Sequence, residues 1–263
     1  MNHTEYIEQE AQRYLPKRYP RATTYEREKY AQDWRTKDKA SAGIIADYQR
    51  RIGPVQGKKV LDVGSGIGGI SIALGRAGAH PVGIEVEDEL YAIGVENARL
   101  QGVHFDAVIY DGTKLPFEDN SFDGAVSVSV LEHTDDPALY LREIVRVLKP
   151  GASLYLAFPN RLWPKETHTG LYFVGWLPRF LADRYVKLRG RNPLEDNWLH
   201  FYSYWSLKRL LDLDSKDAAA EIVFEPGNST SRIVSLFKKM LPYIGIPSHR
   251  ALLPHVSVIV KKK

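Results

Sequence analysis

The sequence predicts an α/β fold, a doubly wound and mostly parallel sheet of seven strands with helices on both faces. Short apolar runs alternate with helical stretches of roughly 10–15 residues, a pattern typical of βαβ units. The first predicted strand also ends in a glycine-rich turn that opens a helix. The seven predicted strands cover residues 60–63, 82–86, 107–110, 124–130, 153–158, 219–224 and 255–260.

The composition is that of a globular chain and excludes several kinds of chemistry. Of the 263 residues, 44% are hydrophobic and 26% are charged, which allows a sizeable core. The chain contains no cysteine, so disulfides, cysteine-bound zinc, iron–sulfur clusters and a thiol nucleophile are excluded. The first twenty residues lack the apolar centre of a signal peptide. No apolar run approaches the roughly 20 residues that span a bilayer. We therefore expect a cytoplasmic protein.

The other predicted elements divide the chain into a helical cover and a main domain. Residues 1–56 are predicted to form the N-terminal helical cover, interrupted near Pro16 and Pro20. Residues 57–263 are predicted to form the main domain, in which residues 159–200 make an inserted lid rich in aromatic, proline and arginine residues. Its predicted helices cover residues 70–75, 88–101, 137–148 and 204–213.

The charge is distributed unevenly along the chain. Residues 1–59 carry a net charge of +5, residues 60–159 carry −9 and residues 160–263 carry +8. An acidic middle therefore lies between two basic flanks. Such asymmetry bears on binding partners rather than on the fold, and solvated surface is the alternative interpretation.

The glycine-rich turn and two acidic positions indicate a nucleotide-like ligand. Residues 64–69 read Gly-Ser-Gly-Ile-Gly-Gly, and glycines there allow a tight turn whose backbone N–H groups can approach a ligand. Glu85 follows Gly64 by 21 residues, at a place where a carboxylate accepts both ribose hydroxyls and disfavours the 2′-phosphate of NADP. Asp111, beside Gly112, can accept from an adenine amino group. The turn alone leaves a nicotinamide site and other nucleotide-like sites open.

A series of motifs over residues 57–158 resembles the class I S-adenosylmethionine-dependent methyltransferases, specifically the group similar to the ubiquinone-biosynthesis methyltransferases. The motifs stand in the order and at the spacing of that family. They are Val60 to Gly68, Gly83-Ile84-Glu85, Asp111-Gly112, Leu115-Pro116-Phe117, Ser121-Phe122-Asp123, Val130 to His133, and Leu141 to Gly151.

The resemblance implies a Rossmann-like methyltransferase fold with S-adenosyl-L-methionine as its cofactor. It places the methionine part of the cofactor on Asp62 and the glycine turn, at Gly64, Ser65, Gly66 and Gly68. It further places the ribose on Glu85, the adenine on Asp111 and Gly112, and the sulfonium beside Ser129. Some relatives bind a divalent ion through an acidic residue at the position of Ser129, so no metal is expected here.

Two histidines are candidates for a catalytic base. His133 follows the fourth strand, at the sheet edge where ligands bind in such folds. The alternative is a capping or scaffold residue bonded to backbone. His168 lies in the insertion after the fifth strand and reaches the same edge only if that segment folds back over the cleft. The alternative there is an ordinary loop histidine.

The insertion contains a basic amphipathic stretch at residues 171–191. Apolar residues recur at helical spacing among arginines and lysines, a combination typical of contact with an anionic membrane. They are Trp176, Phe180, Leu181, Tyr185 and Leu188. The alternative is a helix that packs its apolar side on the core. Residues 233–246 form a second, weaker candidate of this kind.

Together these features predict methyl transfer to oxygen. The expected acceptor is a small-molecule, lipid-like, quinone-like or glycan-linked compound with an anionic portion, because both flanking regions are cationic and aromatic. Peripheral contact with an anionic membrane surface is part of this expectation. Nucleic acid is disfavoured, since the motif of amino-methylating enzymes is absent after the fourth strand. The alternatives are a nicotinamide-dependent dehydrogenase and a non-catalytic, cofactor-binding partner subunit.

Overall fold

The computed structural model describes residues 2–191, 199–213, 220–223 and 252–263. The strands of these ranges are β1 (Lys59–Val63), β2 (His80–Glu85), β3 (Asp106–Ile109), β4 (Phe122–Val128), β5 (Leu148–Pro159), β6 (Ala220–Val223) and β7 (His255–Lys262). The helices are α1 (His3–Arg18), α2 (Thr24–Arg35), α3 (Lys37–Ile52), α4 (Gly69–Arg76), α5 (Asp88–Leu100), α6 (Pro137–Val147), α7 (Arg179–Leu188) and α8 (Tyr204–Leu213). The amphipathic candidate at residues 233–246 lies outside the described residues.

Within the described ranges, the strands form one seven-stranded sheet in the order β3-β2-β1-β4-β5-β7-β6. Strands β1 to β5 are parallel to one another. Strand β7 runs antiparallel between β5 and β6. The predicted fold class, a mostly parallel sheet with flanking helices, is therefore confirmed.

The central strands end together at one edge of the sheet. Val63, the last residue of β1, stands opposite Ile84 of β2 and Ser127 of β4. Because parallel strands share a direction, the loops that follow β1, β2 and β4 leave from the same edge. This is the edge at which doubly wound sheets bind ligands.

Two apolar clusters hold helices against opposite faces of the sheet. On one face, Leu141 and Ile144 of α6 and Leu207 of α8 pack against the strands. On the other, Ile45 of α3 and Leu74 of α4 pack against residues such as Val60, Val126 and Ile259. Each of these side chains is at least 95% buried, and full burial of a side chain of this size stabilises the fold by about 1.5–3 kcal/mol.

The start of α1 is defined by its cap, and its end differs from the prediction. Asn2 accepts from the backbone N–H of Glu5 while the Glu5 carboxylate accepts from the backbone N–H of Asn2, a complete capping box. Helix α1 continues through Pro16 to Arg18, so the predicted break around Pro16 and Pro20 begins only after Arg18. Pro16 lies in the last turn, so only two further residues must remain helical beyond it. The interruption falls on residues 19–23, which include Pro20.

The insertion after β5 is built around a small apolar cluster of its own. Val174, Ala182, Val186 and Leu199 are buried together there. A bridge between Asn160 and Tyr202 joins its base to the segment before α8. Among the described helices, none has the length and apolar character needed to cross a membrane.

The close approach of α5 to the turn after β1 yields a prediction about stability. A Cβ on Gly94 of α5 would lie 2.7 Å from the carbonyl oxygen of Gly66. Because backbone cannot yield easily, we expect Gly94→Ala to lower the free energy of unfolding by about 1–3 kcal/mol, measured by urea denaturation. Gly43 of α3 has no atom within 4 Å of such a Cβ. The control Gly43→Ala should leave stability unchanged or raise it by about 0.5–1 kcal/mol. Equal effects of the two changes would contradict the crowding argument.

Candidate active site

The turn between β1 and α4 requires glycine at three positions. Gly64, Gly66 and Gly68 have φ angles of 72°, 52° and 83°, in the left-handed region that favours glycine. A Cβ on Gly64 would lie 2.5 Å from Cγ2 of Val130, and one on Gly68 would lie 3.0 Å from the carbonyl oxygen of Gly94. The glycine-rich turn therefore lies at the carboxyl edge of the sheet, with its backbone closely surrounded.

Glu85 is a buried carboxylate that connects the end of β2 to this turn. Its Oε2 accepts from the backbone N–H of Gly66 at 2.8 Å, and its Oε1 accepts from Val86 at 2.8 Å and Glu87 at 3.2 Å. A carboxylate has about four acceptor positions, so one position on Oε2 remains for a ligand hydroxyl. If Glu85 binds two ribose hydroxyls, as predicted, one hydroxyl must share an acceptor position with a backbone N–H group that already donates to this carboxylate.

Asp62 lies beneath the turn and is 2% exposed. It accepts from the Ser71 hydroxyl at 2.7 Å. Burial raises the pKa of Asp62 to about 6, although the Ser71 bond and the charge of Lys37 oppose the rise. Ser65 is also buried, and its backbone N–H donates to Ile84 at 2.9 Å. A cationic ligand group near Asp62 would favour its ionised form.

Asp111 and Gly112 lie on the exposed side of the site, just after β3. Both are exposed, and Asp111 accepts from the backbone N–H of Thr113 at 2.9 Å and from its hydroxyl at 2.7 Å. The bonds from Thr113 hold the pKa of Asp111 below its usual range. Gly112 has a φ of 82°, and a Cβ on it would lie 3.6 Å from Cγ1 of Val86. The ends of β2 and β3 are therefore adjacent, as a ligand that spans Glu85 and Asp111 requires.

The residues after β4 depart from the predicted strand. Strand β4 ends at Val128 rather than at residue 130, since Ser129 has a φ of 58° and residues 131–133 form a 3₁₀ turn. Ser129 is exposed, and its backbone N–H donates to Ala157 at 2.9 Å. This bend turns the chain across the sheet edge and carries His133 there.

The two predicted histidines lie together, and a buried carboxylate lies with them. The rings of His133 and His168 are 5.8 Å apart between centroids and nearly perpendicular. One ligand atom from each of Glu132, His133 and His168 lies within 4.8 Å of the others, a spacing that suits a hydroxyl, a water or a metal ion. The prediction that no metal binds remains a prediction. The insertion thus folds back over the cleft, the condition on which the role of His168 depended.

Glu132 has an environment that disfavours its charge. It is 2% exposed, and neither carboxylate oxygen has a hydrogen-bond partner among the described residues. Burial raises the pKa of Glu132 to about 7, and the neighbouring His168 acts in the opposite direction. A donor placed by a ligand, or a protonated imidazole, would satisfy these oxygens.

Glu166 has the opposite environment and holds His168 in place. Its Oε1 accepts from the backbone N–H of His168 and pairs with Nδ1 of the same residue, each at 2.8 Å. Its Oε2 accepts from the backbone N–H and the hydroxyl of Thr169 at 2.6 Å and 2.8 Å. Burial opposes ionisation of Glu166, but the bonds from His168 and Thr169 outweigh it and lower its pKa to about 2. Glu166 is therefore an ionised anchor for the imidazole.

Lys29 of α2 holds the same loop from the opposite side. Its ammonium donates to the carbonyl oxygens of Thr167 and, at 3.2 Å, of His168. Neither Glu166 nor Lys29 was identified as functional from the sequence. No sequence signal marks Lys29, which lies more than 130 residues from the loop. The spacing of Glu166 and His168, two residues apart, is the one local signal for their contact.

The first two helices enclose a cavity of about 250 Å³ against the glycine turn. The rings of Tyr14 and Trp34 stack with centroids 5.6 Å apart, and those of Tyr19 and Tyr30 lie 4.7 Å apart. The cavity lining also includes Leu15, Arg18, Asp33, Lys37, Gly66, Ile67, Glu87 and Leu90. An aromatic wall with a few charged groups suits an organic ligand, and no motif of the sequence indicates this cavity.

The raised pKa of Glu132 predicts how stability depends on pH. An acid whose pKa rises on folding binds more protons when folded, so stability falls as pH rises from the unfolded value of about 4.5 to about 7. We expect Glu132→Gln to remove this loss. The free energy of unfolding of the variant, relative to that of the wild type, should increase by about 2–3 kcal/mol between pH 5 and pH 8, since one pKa unit corresponds to 1.36 kcal/mol. Urea denaturation at several pH values would measure this difference. The exposed Glu118→Gln is the control and should show no such gain. A constant difference across this range would contradict the buried, protonated state.

Comparisons of this chain with known proteins all indicate the same family. A family model described as a methyltransferase domain matches residues 61–156. An uncharacterized methyltransferase of Mycobacterium tuberculosis (strain ATCC 25177 / H37Ra) is 33% identical over 179 residues, or 66% of this chain and 68% of that protein. One from Mycobacterium sp. (strain KMS) is 37% identical over 142 residues, which cover 53% of this chain and 54% of the relative. The chain thus spans about half the length of the latter.

A relative of named activity and a solved structure agree with this family. The ubiquinone biosynthesis O-methyltransferase of Rhizobium etli (strain CIAT 652) is 29% identical over 163 residues, or 60% of this chain and 64% of that protein. An S-adenosylmethionine-dependent methyltransferase from Mesorhizobium loti has the same fold, with a TM-score of 0.53 at 15% identity over 82% of this chain and 96% of its own. The dehydrogenase alternative is excluded by these findings. The chain belongs to the class I S-adenosylmethionine-dependent methyltransferases, and its cofactor is S-adenosylmethionine.

Proposed function

We propose that this protein transfers a methyl group from S-adenosylmethionine to an oxygen of a small-molecule acceptor, with a histidine accepting the acceptor's proton. The observation that carries the proposal is the meeting of His133 and His168, 5.8 Å apart at the carboxyl edge of the sheet. The Rhizobium relative is named as an O-methyltransferase of ubiquinone biosynthesis, which supports oxygen as the methylated atom and a quinone-like acceptor.

The proposed cofactor contacts follow the strand ends. Asp62, with Gly64, Ser65, Gly66 and Gly68, would hold the methionine part, because a buried carboxylate suits an ammonium and the turn offers backbone N–H groups. Glu85 would bind the ribose through the acceptor position left on its Oε2. Asp111 and Gly112 would border the adenine, and Ser129 would lie beside the sulfonium.

The reaction requires alignment and removal of one proton. When bound, S-adenosylmethionine supplies an electrophilic methyl group, and the carbon–sulfur bond breaks as the oxygen–carbon bond forms. Alignment of an in-line displacement supplies much of the acceleration. An ionised carboxylate only accepts hydrogen bonds, so Glu166 fixes the proton of His168 on Nδ1. Nε2 is then the basic nitrogen, free to take the acceptor's proton, and the imidazolium formed would lie near Glu132.

The acceptor that these surroundings favour is lipid-like or lipid-linked, and the protein would meet it at an anionic membrane surface. Aromatic rings line the cavity beside the glycine turn. The lid that contains His168 also carries exposed aromatic residues, among them Tyr172, Phe173 and Trp176. A glycan-linked acceptor with an apolar carrier would fit the same features. Cationic flanks at residues 1–59 and 160–263 suit an anionic portion of either compound.

The cofactor assignment predicts the effect of changing Glu85. We expect Glu85→Gln to weaken S-adenosylmethionine binding by about 10–150-fold, which corresponds to the 1.5–3 kcal/mol of hydrogen bonds to a charged group. Calorimetry would measure this, with the partly exposed Glu96→Gln as the control that should bind normally. Tight binding of NAD together with no binding of S-adenosylmethionine by the wild type would refute the assignment.

The base assignment predicts the effects of changing either histidine. The assay uses whichever acceptor becomes labelled when an extract is incubated with the protein and methyl-labelled S-adenosylmethionine. We expect His168→Ala or His133→Ala to lower kcat by about 10²–10⁴-fold with cofactor affinity unchanged, the usual contribution of a positioned base. The wild-type rate should fall where the histidine that acts as the base is protonated, and this pH dependence should be lost in the variant of that residue.

Glu166→Gln tests the anchor of His168 separately. It should lower kcat and alter the pH profile, because the amide can present its N–H₂ group to Nδ1 and favour the wrong tautomer. Thr169→Val is the matched control, since it removes a bond to Oε2 and leaves the bond to Nδ1 intact.

Full activity in both histidine variants would show that alignment alone suffices. No labelled product in any extract would favour the non-catalytic partner subunit.

A further inference from the structure

Large apolar side chains are exposed together on the lid. Eight of the fourteen exposed large hydrophobic residues of the described chain fall within residues 162–188. The rings of Phe173 and Trp176 lie 4.9 Å apart, and the indole N–H of Trp176 donates to the carbonyl oxygen of Leu162 at 3.3 Å. Tyr172, Phe173 and Trp176 therefore form a contiguous exposed aromatic patch within this segment, and exposed apolar patches mark interaction sites. We call residues 162–188 with this patch the lid surface.

Helix α7 turns its larger apolar side chains outward. Ala182 and Val186 face the lid's own cluster and are fully buried. Phe180 is 66% exposed and Leu188 is 84% exposed. The alternative of a helix that packs its apolar stripe on the core therefore does not hold for these two residues. The helix contacts the protein through Ala182, Val186 and the partly buried Tyr185, and it leaves Phe180 and Leu188 exposed.

The same segment is strongly basic. Residues 160–191 contain seven arginines and lysines and two acidic residues, a net charge of +5. One of these acids, Glu166, is buried with His168, and the other, Asp183, pairs with Arg179 at 3.3 Å. Arg184 and Arg189 are exposed on α7 and just after it. Exposed tryptophan, phenylalanine and leucine among cations are the composition of a helix that lies in a membrane interface.

We propose that the lid surface docks on an anionic lipid bilayer, with α7 in the plane of the headgroups. The net charge of the segment complements anionic lipid, and each basic residue near such a surface adds to the attraction. The inference rests on the proposed function in one respect, the source of the acceptor. His168 lies in the same segment, between Trp163 and Tyr172, so docking would bring the cleft to the bilayer from which a lipid-like acceptor is taken.

Vesicle co-sedimentation of the full chain tests this surface. The probes are phosphatidylcholine vesicles with and without phosphatidylglycerol. We expect binding to the anionic vesicles only, falling steeply as salt rises, because exposed charges are screened over about 8 Å at physiological ionic strength. Phe180→Ser with Leu188→Ser should reduce binding at least about tenfold, and so should Arg184→Gln with Arg189→Gln. Val95→Ser with Ile109→Thr is the control, because these residues are exposed elsewhere and the change should leave binding intact.

Calorimetry with S-adenosylmethionine distinguishes this inference from the proposed function. Both sets of lid variants should bind the cofactor as the wild type does, which would also show that they are folded. Equal binding to neutral and anionic vesicles, no binding to either, or unchanged binding of the Phe180 and Leu188 variant would overturn the docking proposal and leave methyl transfer untouched. A wild-type dimer that this variant abolishes, with no vesicle binding, would identify the patch as a protein interface and would also overturn it.

Discussion

The geometry of the site depends on one buried carboxylate, that of Glu85. A buried charge is costly unless hydrogen bonds satisfy it, and Glu85 obtains them from the backbone of Gly66, Val86 and Glu87. The N–H of Gly66 needs an acceptor, and the Glu85 carboxylate at the end of β2 supplies it. The charge and the turn therefore stabilise each other, and Gly94 completes the arrangement by letting α5 approach the turn.

The sheet could be predicted because buried parallel strands are short apolar runs with helices between them, and this signal is local. The site could be predicted only in part. His133 and His168 are 35 residues apart in sequence, and their contact depends on the bend at Ser129 and on the path of the insertion, neither of which periodicity specifies. A glycine in the sequence indicates where a positive φ angle can occur, whereas nothing in the sequence marks the positive φ angle of Ser129. The helix through Pro16 shows that a strong local breaker is tolerated near a helix end.

Helix α2 contacts the insertion after β5 through polar groups. Lys29 of α2 binds the carbonyl oxygen of His168, and the guanidinium of Arg191 lies 4.5 Å from the ring centre of Tyr25. On the far side, the Tyr14 hydroxyl donates to Glu87 at 2.6 Å. Partly exposed contacts of this kind contribute little stability. Their main effect is to orient the joined segments relative to each other. They connect the loop that holds His168 to the helices that enclose the cavity beside the glycine turn.

Glu132 and Glu166 show how one cleft can contain both states of the same functional group. Both are buried, yet hydrogen bonds lower the pKa of Glu166 to about 2 while burial without a partner raises that of Glu132 to about 7. Such separation of two carboxyl groups by their environments is the means by which sites combine acid and base roles. Near neutral pH, Glu166 is a fixed charge that orients His168, whereas Glu132 is close to its own titration. A proton arriving on the imidazole would favour ionisation of Glu132, and the ionised carboxylate would in turn stabilise the imidazolium. Glu166 is thus a permanently ionised partner for the neutral histidine, and Glu132 is a partner that ionises when the histidine is protonated.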